Sequence, residues 1–439
     1  MTSISEMMDD GLAQILTTHP VTGLHPGNNL ILSFLYPSAE SAKNDAVPVL
    51  NTRGRFQVSS NSLNMPGTST FSIPPGSILS QCWLSAAVDI ARYVHAPSGW
   101  LLDCVDQIVY QFSGASTINN STIDGGSYKQ LVLASTDNQE KRQAIIEAGG
   151  DYLNGTAAAL TNQQASIPIW LPWSSPDIHG AFPYDTSTLT SNLQIQIKWK
   201  NPYEVFYGEN AQVPVMPTAF NYINFKAKQS DILGSGAFKV NNAMNMNPEM
   251  VYTVPYMYCQ SFTVDQLVTS GTEGVIVLQS MPVGQLAAII VEPILNSQVG
   301  ISANSNVVTN GSLIQDMINL RFNGSDLIKY DYKKEQQLVD TISTNGNGYR
   351  YTTTSGASIS SSVQTSYNNS LTVLPLMFDF ESLTMHKWFE NVPSYGGSVL
   401  EYRYRIDSYA LAAAPMKFKF TYVINGLIEN KFHTVRSIL

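Results

Sequence analysis

Hydrophobic and polar residues alternate strictly along several short stretches of the chain. One stretch runs from Leu193 to Trp199, a second covers residues 400–406, and a third covers residues 417–422. Because successive side chains of a β-strand point to opposite faces, each stretch predicts a strand with one face in a core and the other in water.

Turn-forming dipeptides recur along the whole chain between such stretches. They are Pro26-Gly27, Pro66-Gly67, Pro75-Gly76, Gly125-Gly126, Asn154-Gly155, Asn323-Gly324, Asn345-Gly346 and Asn425-Gly426. Many short strands separated by such turns are typical of a β-sandwich or a β-barrel. The predicted fold class is therefore all-β.

Three segments predict helices instead, near residues 3–18, 137–148 and 333–342. The first helix is amphipathic, because its apolar positions follow the 3.6-residue helical period. These positions are Ile4, Met7, Met8, Leu12, Ile15 and Leu16. The second helix ends before Gly149-Gly150, and the third ends before Asn345-Gly346.

The two halves of the chain resemble each other weakly in six places. The matched segments, 206 to 210 residues apart, are 56–58 with 262–264, Gly76 and Ile78 with Gly284 and Leu286, 106–114 with 316–324, 130–132 with 337–339, 167–169 with 374–376, and the strand at Leu193 with the strand at Leu400. Because all six occur in the same order, they favour two copies of one sandwich over two unrelated β-domains. We expect an N-terminal arm at residues 1–25, a first sandwich at 26–232 and a second at 233–439.

Composition narrows the class of protein further. Charged residues make up only 13% of the chain, apolar residues 44%, and the net charge is -9. This apolar content excludes intrinsic disorder, and the negative charge argues against extensive binding to DNA phosphates. Uncharged polar residues replace the missing charges, since 33 Asn exceed the 24 Lys and Arg together. Such side chains can bond at protein contacts without the desolvation cost of buried charges.

Targeting and membrane-spanning segments are not expected. The best apolar run, residues 286–295, is ten residues long and contains Glu292, whereas a spanning helix needs about 20. The three cysteines, Cys82, Cys104 and Cys259, lack a metal-binding spacing and fit buried thiols in a reducing compartment.

Two segments carry a resemblance to a known family. Residues 99–135 are similar to a stretch of strand, glycine turn and helix in the double jelly-roll major capsid proteins, and residues 167–173 (IPIWLPW) look like an apolar strand of the same family. Members build the icosahedral shells of tectiviruses, adenoviruses, large eukaryotic DNA viruses, virophages and polinton-like elements. The resemblance implies two tandem eight-stranded jelly rolls with short helical insertions after the N-terminal amphipathic helix.

The same resemblance implies the function and the partners. We expect the major capsid subunit of an icosahedral double-stranded DNA virus or virus-like element, located in the virion and assembled as a pseudo-hexagonal homotrimer. Its partners are then neighbouring capsomers, penton and minor capsid proteins, with no direct sequence-specific binding to nucleic acid. Fusing two like domains lets three chains form a ring of six similar units.

The sequence contains none of three common motifs of enzyme active sites. The chain has no GxxxxGK[ST], HExxH or GxSxG motif. None of its six histidines lies within four residues of another. We expect no catalytic residue, no cofactor and no metal.

Several alternatives stay open. The amphipathic helix locks a neighbouring subunit, faces an internal membrane or caps its own first sandwich. A carbohydrate-binding β-sandwich of a fibre or spike could use Trp170, Trp173 and Trp199. A β-rich glycoside hydrolase would need a carboxylate pair, for which Asp379 and Glu381 are the nearest candidates.

Overall fold

The computed structural model describes two large groups of strands, one in each half of the chain. It describes residues 50–73, 78–112, 121–134, 139–155, 158–169, 193–208, 215–232, 251–279, 285–295, 317–331, 372–375, 399–406, 413–431 and 434–438. The predicted arm, with its helix at residues 3–18, and the predicted helix at 333–342 lie outside the described residues.

The first half contains eleven described strands and three α-helices. They are β1 (Leu50–Ser59), β2 (Gly67–Ile73), β3 (Ile78–Ile90), β4 (Val94–Ala96), α1 (Trp100–Cys104), β5 (Val105–Phe112), β6 (Ser121–Asp124), α2 (Gly125–Ala134), α3 (Gln139–Ala148), β7 (Leu153–Asn154), β8 (Leu160–Ile169), β9 (Leu193–Trp199), β10 (Tyr207–Gly208) and β11 (Tyr222–Ile232). One sheet has the order β1-β11-β3-β8 and a second has the order β2-β9-β5-β6. A small third sheet has the order β10-β4-β7.

The second half repeats this arrangement. Its described strands are β12 (Val251–Thr269), β13 (Glu273–Val277), β14 (Gln285–Leu295), β15 (Met317–Phe322), β16 (Ser325–Tyr330), β17 (Thr372–Pro375), β18 (Leu400–Arg405), β19 (Ala413–Lys431) and β20 (Thr434–Ile438). One sheet has the order β12-β19-β14-β17, with β20 beside β19, and the other has the order β13-β18-β15-β16.

Both halves therefore share one strand order. When the eight strands of the two large sheets are numbered along each half, one sheet holds the first, eighth, third and sixth, and the other holds the second, seventh, fourth and fifth. All described pairs are antiparallel, as in β1–β11 and β12–β19. This is the jelly-roll arrangement, so the predicted fold of two tandem jelly rolls is confirmed.

The internal sequence matches fall on equivalent strands of the two rolls. Residues 56–58 and 262–264 lie in the first strand of each roll, and 106–114 and 316–324 overlap the fourth. The remaining described matches lie at the third, sixth and seventh strands. Residues 337–339, which match 130–132 in sequence, lie outside the described residues.

Alternation builds the two cores as expected for strands with one apolar face. Ile195, Ile197 and Trp199 of β9 are buried while Lys198 is exposed. In β18 the buried residues are Leu400, Tyr402 and Tyr404, followed by Ile406. The strand predictions at 193–199 and 400–406 are confirmed.

The helices of the first roll differ in part from expectation. The second predicted helix is confirmed as α3, which ends at Ala148 before Gly149. The interpretation of Gly125-Gly126 as a turn is wrong, because α2 begins at Gly125. A Cβ at Gly125 would overlap the backbone carbonyl oxygen of Val105, so glycine is needed where the helix starts against β5.

Candidate functional site: the seam between the jelly rolls

The two rolls meet along a surface that we call the seam. It is formed by β6 and α2 of the first roll and by β12, β14 and β19 of the second. Two contacts hold α2 against the rest of the first roll. Lys129 Nζ lies 2.6 Å from Asp103 Oδ1, and the Tyr128 hydroxyl donates to the Pro168 carbonyl. The helix is thus fixed to its own roll as well as being in contact with the other.

Ser261 of β12 covers the open edge of β6. The Asp124 backbone N–H donates to Ser261 Oγ at 2.9 Å, and Ser261 Oγ donates to the Thr122 carbonyl at 3.2 Å. The Ser261 backbone N–H donates to Thr122 Oγ1 at 3.3 Å. Among the described strands β6 pairs only with β5, so these bonds satisfy backbone groups that a sheet edge otherwise leaves to water.

Asp124 is the centre of the buried part of the seam. Its carboxylate accepts bonds from the Ser127 backbone N–H at 3.0 Å and from the Ser127 hydroxyl at 2.8 Å, which caps the first turn of α2. The same carboxylate accepts a bond from Thr421 Oγ1 of β19 at 2.6 Å. Since Asp124 is 6% exposed and Thr421 is 0% exposed, one carboxylate starts a helix and also joins the two rolls in a site closed to water.

Lys419 places a positive charge among carboxylates, beside the hydrogen bonds of Asp124. Its Nζ lies 3.6 Å from Asp106 Oδ1 of the first roll, and Glu292 is its direct partner in the β14–β19 register. Burial alone lowers the pKa of Lys419, but the carboxylates of Glu292, Asp124, Asp106 and Glu204 outweigh it and hold that pKa above its ordinary value. The lysine stays charged and balances negative groups from both rolls.

Burial raises the pKa values of two acidic groups near Lys419. Burial raises the pKa of Glu292 above its usual range, and the attraction of Lys419 opposes that rise only in part. Burial likewise raises the pKa of Glu204, against the opposing charges of Lys200 and Lys419. Charge at the seam is therefore paired across the rolls and partly desolvated.

The structure corrects the interpretation of residues 417–422. The alternation predicts a polar face in water, but Thr421 is fully buried and Lys417 and Lys419 are only partly exposed. The apolar face does line a core, where Phe418, Phe420 and Tyr422 are buried. The polar face is covered because the first roll packs on it, and a protein surface of hydroxyls and charges has the same residue pattern as a solvated face.

The sequence-predicted site residues lie elsewhere or outside the described residues. Ile4, Met7, Met8, Leu12, Ile15 and Leu16, together with Asp379, Glu381, Trp170 and Trp173, lie outside the described residues. Trp199 is buried, and its Nε1 donates to Ser69 Oγ at 2.8 Å, so it faces the core of the first roll. Sequence reasoning missed the seam residues, and the burial of both faces of β19 at residues 421–424 is visible only in the structure.

Three further features of the described residues concern metal ions, thiols and the membrane. The described residues contain no group of three or more His, Cys, Asp or Glu side chains arranged to hold a metal ion. The thiols of Cys82, Cys104 and Cys259 are buried, and no disulfide joins them. No helix among these residues is both long enough and apolar enough to span a membrane.

Comparisons with known proteins identify the fold. No family model and no curated protein sequence matches the chain. A chain of the PBCV-1 virus capsid superposes with a TM-score of 0.61 at 8% identity, covering 90% of this chain and 98% of that one. The Faustovirus major capsid protein gives 0.54 at 8% identity, covering 90% and 97%. A chain of the Sputnik virophage gives 0.54 at 9% identity, covering 90% of each. The chain has the double jelly-roll fold found in these viral capsid proteins.

Proposed function

We propose that the chain is a structural protein, the major capsid subunit of an icosahedral double-stranded DNA virus or virus-like element. The observation that carries this proposal is the fusion of two jelly rolls with one strand order across a buried polar seam. A subunit of this kind presents two similar blocks in a fixed relation, which is what a shell built from repeated blocks requires. The fold similarity to viral capsid proteins over nine-tenths of the chain supports the same role.

The subunit assembles as a pseudo-hexagonal homotrimer. Three chains supply six jelly rolls, and a ring of six similar blocks has the outline that tiles a hexagonal net. Its partners are neighbouring capsomers, penton and minor capsid proteins in the virion, and the arm at residues 1–25 with its predicted helix lies toward a neighbouring subunit or an internal membrane.

The role needs neither a catalytic reaction nor a cofactor. The partly desolvated charges of the seam are matched by opposite charges or hydrogen bonds, as in a structural contact. The alternative of a carbohydrate-binding fibre or spike is weakened at one position, because the buried Trp199 presents no face to a ligand.

Native mass spectrometry of the purified full-length chain tests the proposal. The expected result is a species at three times the 48.1 kDa of one chain, persisting on dilution to about micromolar concentration, where weak contacts dissociate. A protein that stays monomeric at all concentrations contradicts it. Binding on a glycan array by such a monomer favours the fibre alternative instead.

A further inference from the structure

β6 of the first roll and β16 of the second are equivalent edge strands, and they have different surroundings. Their equivalence follows from the matching strands beside them, β5 and β15. Residues 106–114 (DQIVYQFSG) match 316–324 (DMINLRFNG), so Ile108 corresponds to Ile318. Ile108 lies opposite Ile123 of β6, and Ile318 lies opposite Tyr330 of β16. Asp124 therefore corresponds to Asp331, the residue that directly follows β16.

Asp124 and Asp331 differ in what covers them. Asp124 is buried in the seam, whereas the side chain of Asp331 is 59% exposed, with Lys329 Nζ of its own roll 3.3 Å away. Among the described strands β16 pairs only with β15. Ser325, Asp326 and Leu327 of this strand are also exposed. The second roll thus carries an open edge of the kind that the first roll covers with the seam.

The surface that receives the edge is duplicated in the same way. In the second roll it is the β12–β19 pair, and its counterpart in the first roll is the β1–β11 pair. Phe56 matches Phe262, and the next residues, Gln57 and Thr263, lie opposite Lys226 and Lys419 respectively. Lys226 is therefore the counterpart of Lys419.

Lys226 has a partly exposed side chain. The flanking Phe225 and Ala227 are buried in the core, so Lys226 lies on the outer face of β11. No carboxylate of a described residue lies within 4.0 Å of its ammonium group as an ion pair. Ser59 and Asn224, hydrogen-bonded to each other at 2.9 Å, make the adjoining surface polar, as the hydroxyls do at the seam.

We propose that the β16 edge of one chain, with Asp331, docks on the β1–β11 face of a second copy, beside Lys226, and so repeats the seam between chains. The proposal rests on the proposed trimer and names its contact. The edge and the face are different surfaces of one molecule, so the contact is head-to-tail and forms a ring only if its rotation closes. Six rolls close when each contact turns the next roll by one sixth of a revolution, which gives three chains.

Three features select a second copy as the occupant. The opposite charges of Asp331 and Lys226 are complementary across the contact. An exposed sheet edge otherwise invites unspecific pairing, so it needs a specific cover. The intrachain seam already demonstrates that an edge and a face of these types fit each other.

Charge reversal tests the contact in the full-length chain. We expect Asp331→Lys and Lys226→Asp each to weaken the trimer by about tenfold or more, because each places like charges together. The double variant D331K/K226D restores the attraction and with it the trimer. Glu273→Lys is the matched control, since it reverses an exposed carboxylate on β13, at the other edge of the same sheet, and leaves the trimer unchanged.

The outcomes separate this contact from the proposed function. If the unmodified chain is a trimer and both single variants remain equally stable trimers, the contact is wrong while the capsid proposal stands. If the double variant dissociates as the single variants do, the pairing of these two residues is also wrong. A monomeric unmodified chain removes the proposed trimer itself. Circular dichroism checks folding, and the milder Asp331→Asn and Lys226→Gln take the place of any variant that does not fold.

Discussion

Replacing Thr421 with valine removes one hydroxyl from the buried seam and keeps the shape of the side chain. Thr421 Oγ1 donates to Asp124 Oδ2 at 2.6 Å and lies 2.8 Å from Ser261 Oγ, in a position with no exposure to water. Asp124 keeps its bonds from Ser127 in the variant. The carboxylate therefore loses one donor of three, and no water replaces it.

The expected destabilisation follows from the charge on the acceptor. A hydrogen bond to a charged group contributes about 1.5–3 kcal/mol, so we expect the free energy of unfolding to fall by about 2 kcal/mol. An unfolding entropy of about 2.1 cal/mol/K per residue converts this into a shift in Tm. The shift is about 2 °C if the whole chain unfolds as one unit and about 5 °C if a roll of about 200 residues unfolds alone.

Differential scanning calorimetry at neutral pH measures this shift. Thr421→Ser is the matched control, because it keeps the hydroxyl and loses only a methyl group, worth about 0.8 kcal/mol when buried. The reasoning is refuted if Thr421→Val melts at the temperature of the unmodified protein, or above Thr421→Ser. Either result means that the Asp124–Thr421 bond does not hold the rolls together.

Three further predictions concern a glycine, the buried thiols and a carboxylate. Gly150→Ala lowers the Tm, with a loss of about 1–3 kcal/mol, because φ at this position is +117° and a Cβ would overlap the Trp100 indole; an unchanged calorimetric Tm contradicts this. Burial raises the pKa of Cys82 to about 12, so we expect no reaction of the three buried thiols with a disulfide reagent at pH 8 until guanidinium unfolds the chain. The Asn162 backbone N–H, 2.5 Å from the Asp89 carboxylate, holds its pKa below the usual value. A lowered folded-state pKa contributes stability that is lost as the pH falls through it, so Asp89→Asn should flatten the loss of stability below about pH 4, measured by urea unfolding.

Strands with one buried and one exposed face, and a helix that ends at a glycine pair, were predictable from the sequence. Strand β9 and the strand at 400–405 each have one face in a core, so strict alternation identifies them. Helix α3 has a glycine pair that ends it, and the repeat of segments about 207 residues apart places equivalent strands in both rolls. These signals are local, or they depend only on the order of the segments.

Features that depend on contact between distant segments were not predictable in this way. The polar face of residues 417–422 has the same composition whether water or another roll covers it, so the sequence pattern alone does not reveal the seam. Gly125-Gly126 resembles a turn, yet a close approach of the β5 backbone, which requires a residue without a Cβ, places glycine at the start of α2. The role of Asp124 likewise depends on Thr421, nearly 300 residues away.

Single-particle cryo-electron microscopy of the purified chain tests the central claim most directly. The account predicts particles with three chains around a threefold axis, six jelly rolls in a pseudo-hexagonal ring, and the β16 edge of each chain on the β1–β11 face of the next. Isolated chains, or a ring in which the two rolls are not in equivalent positions, would contradict it.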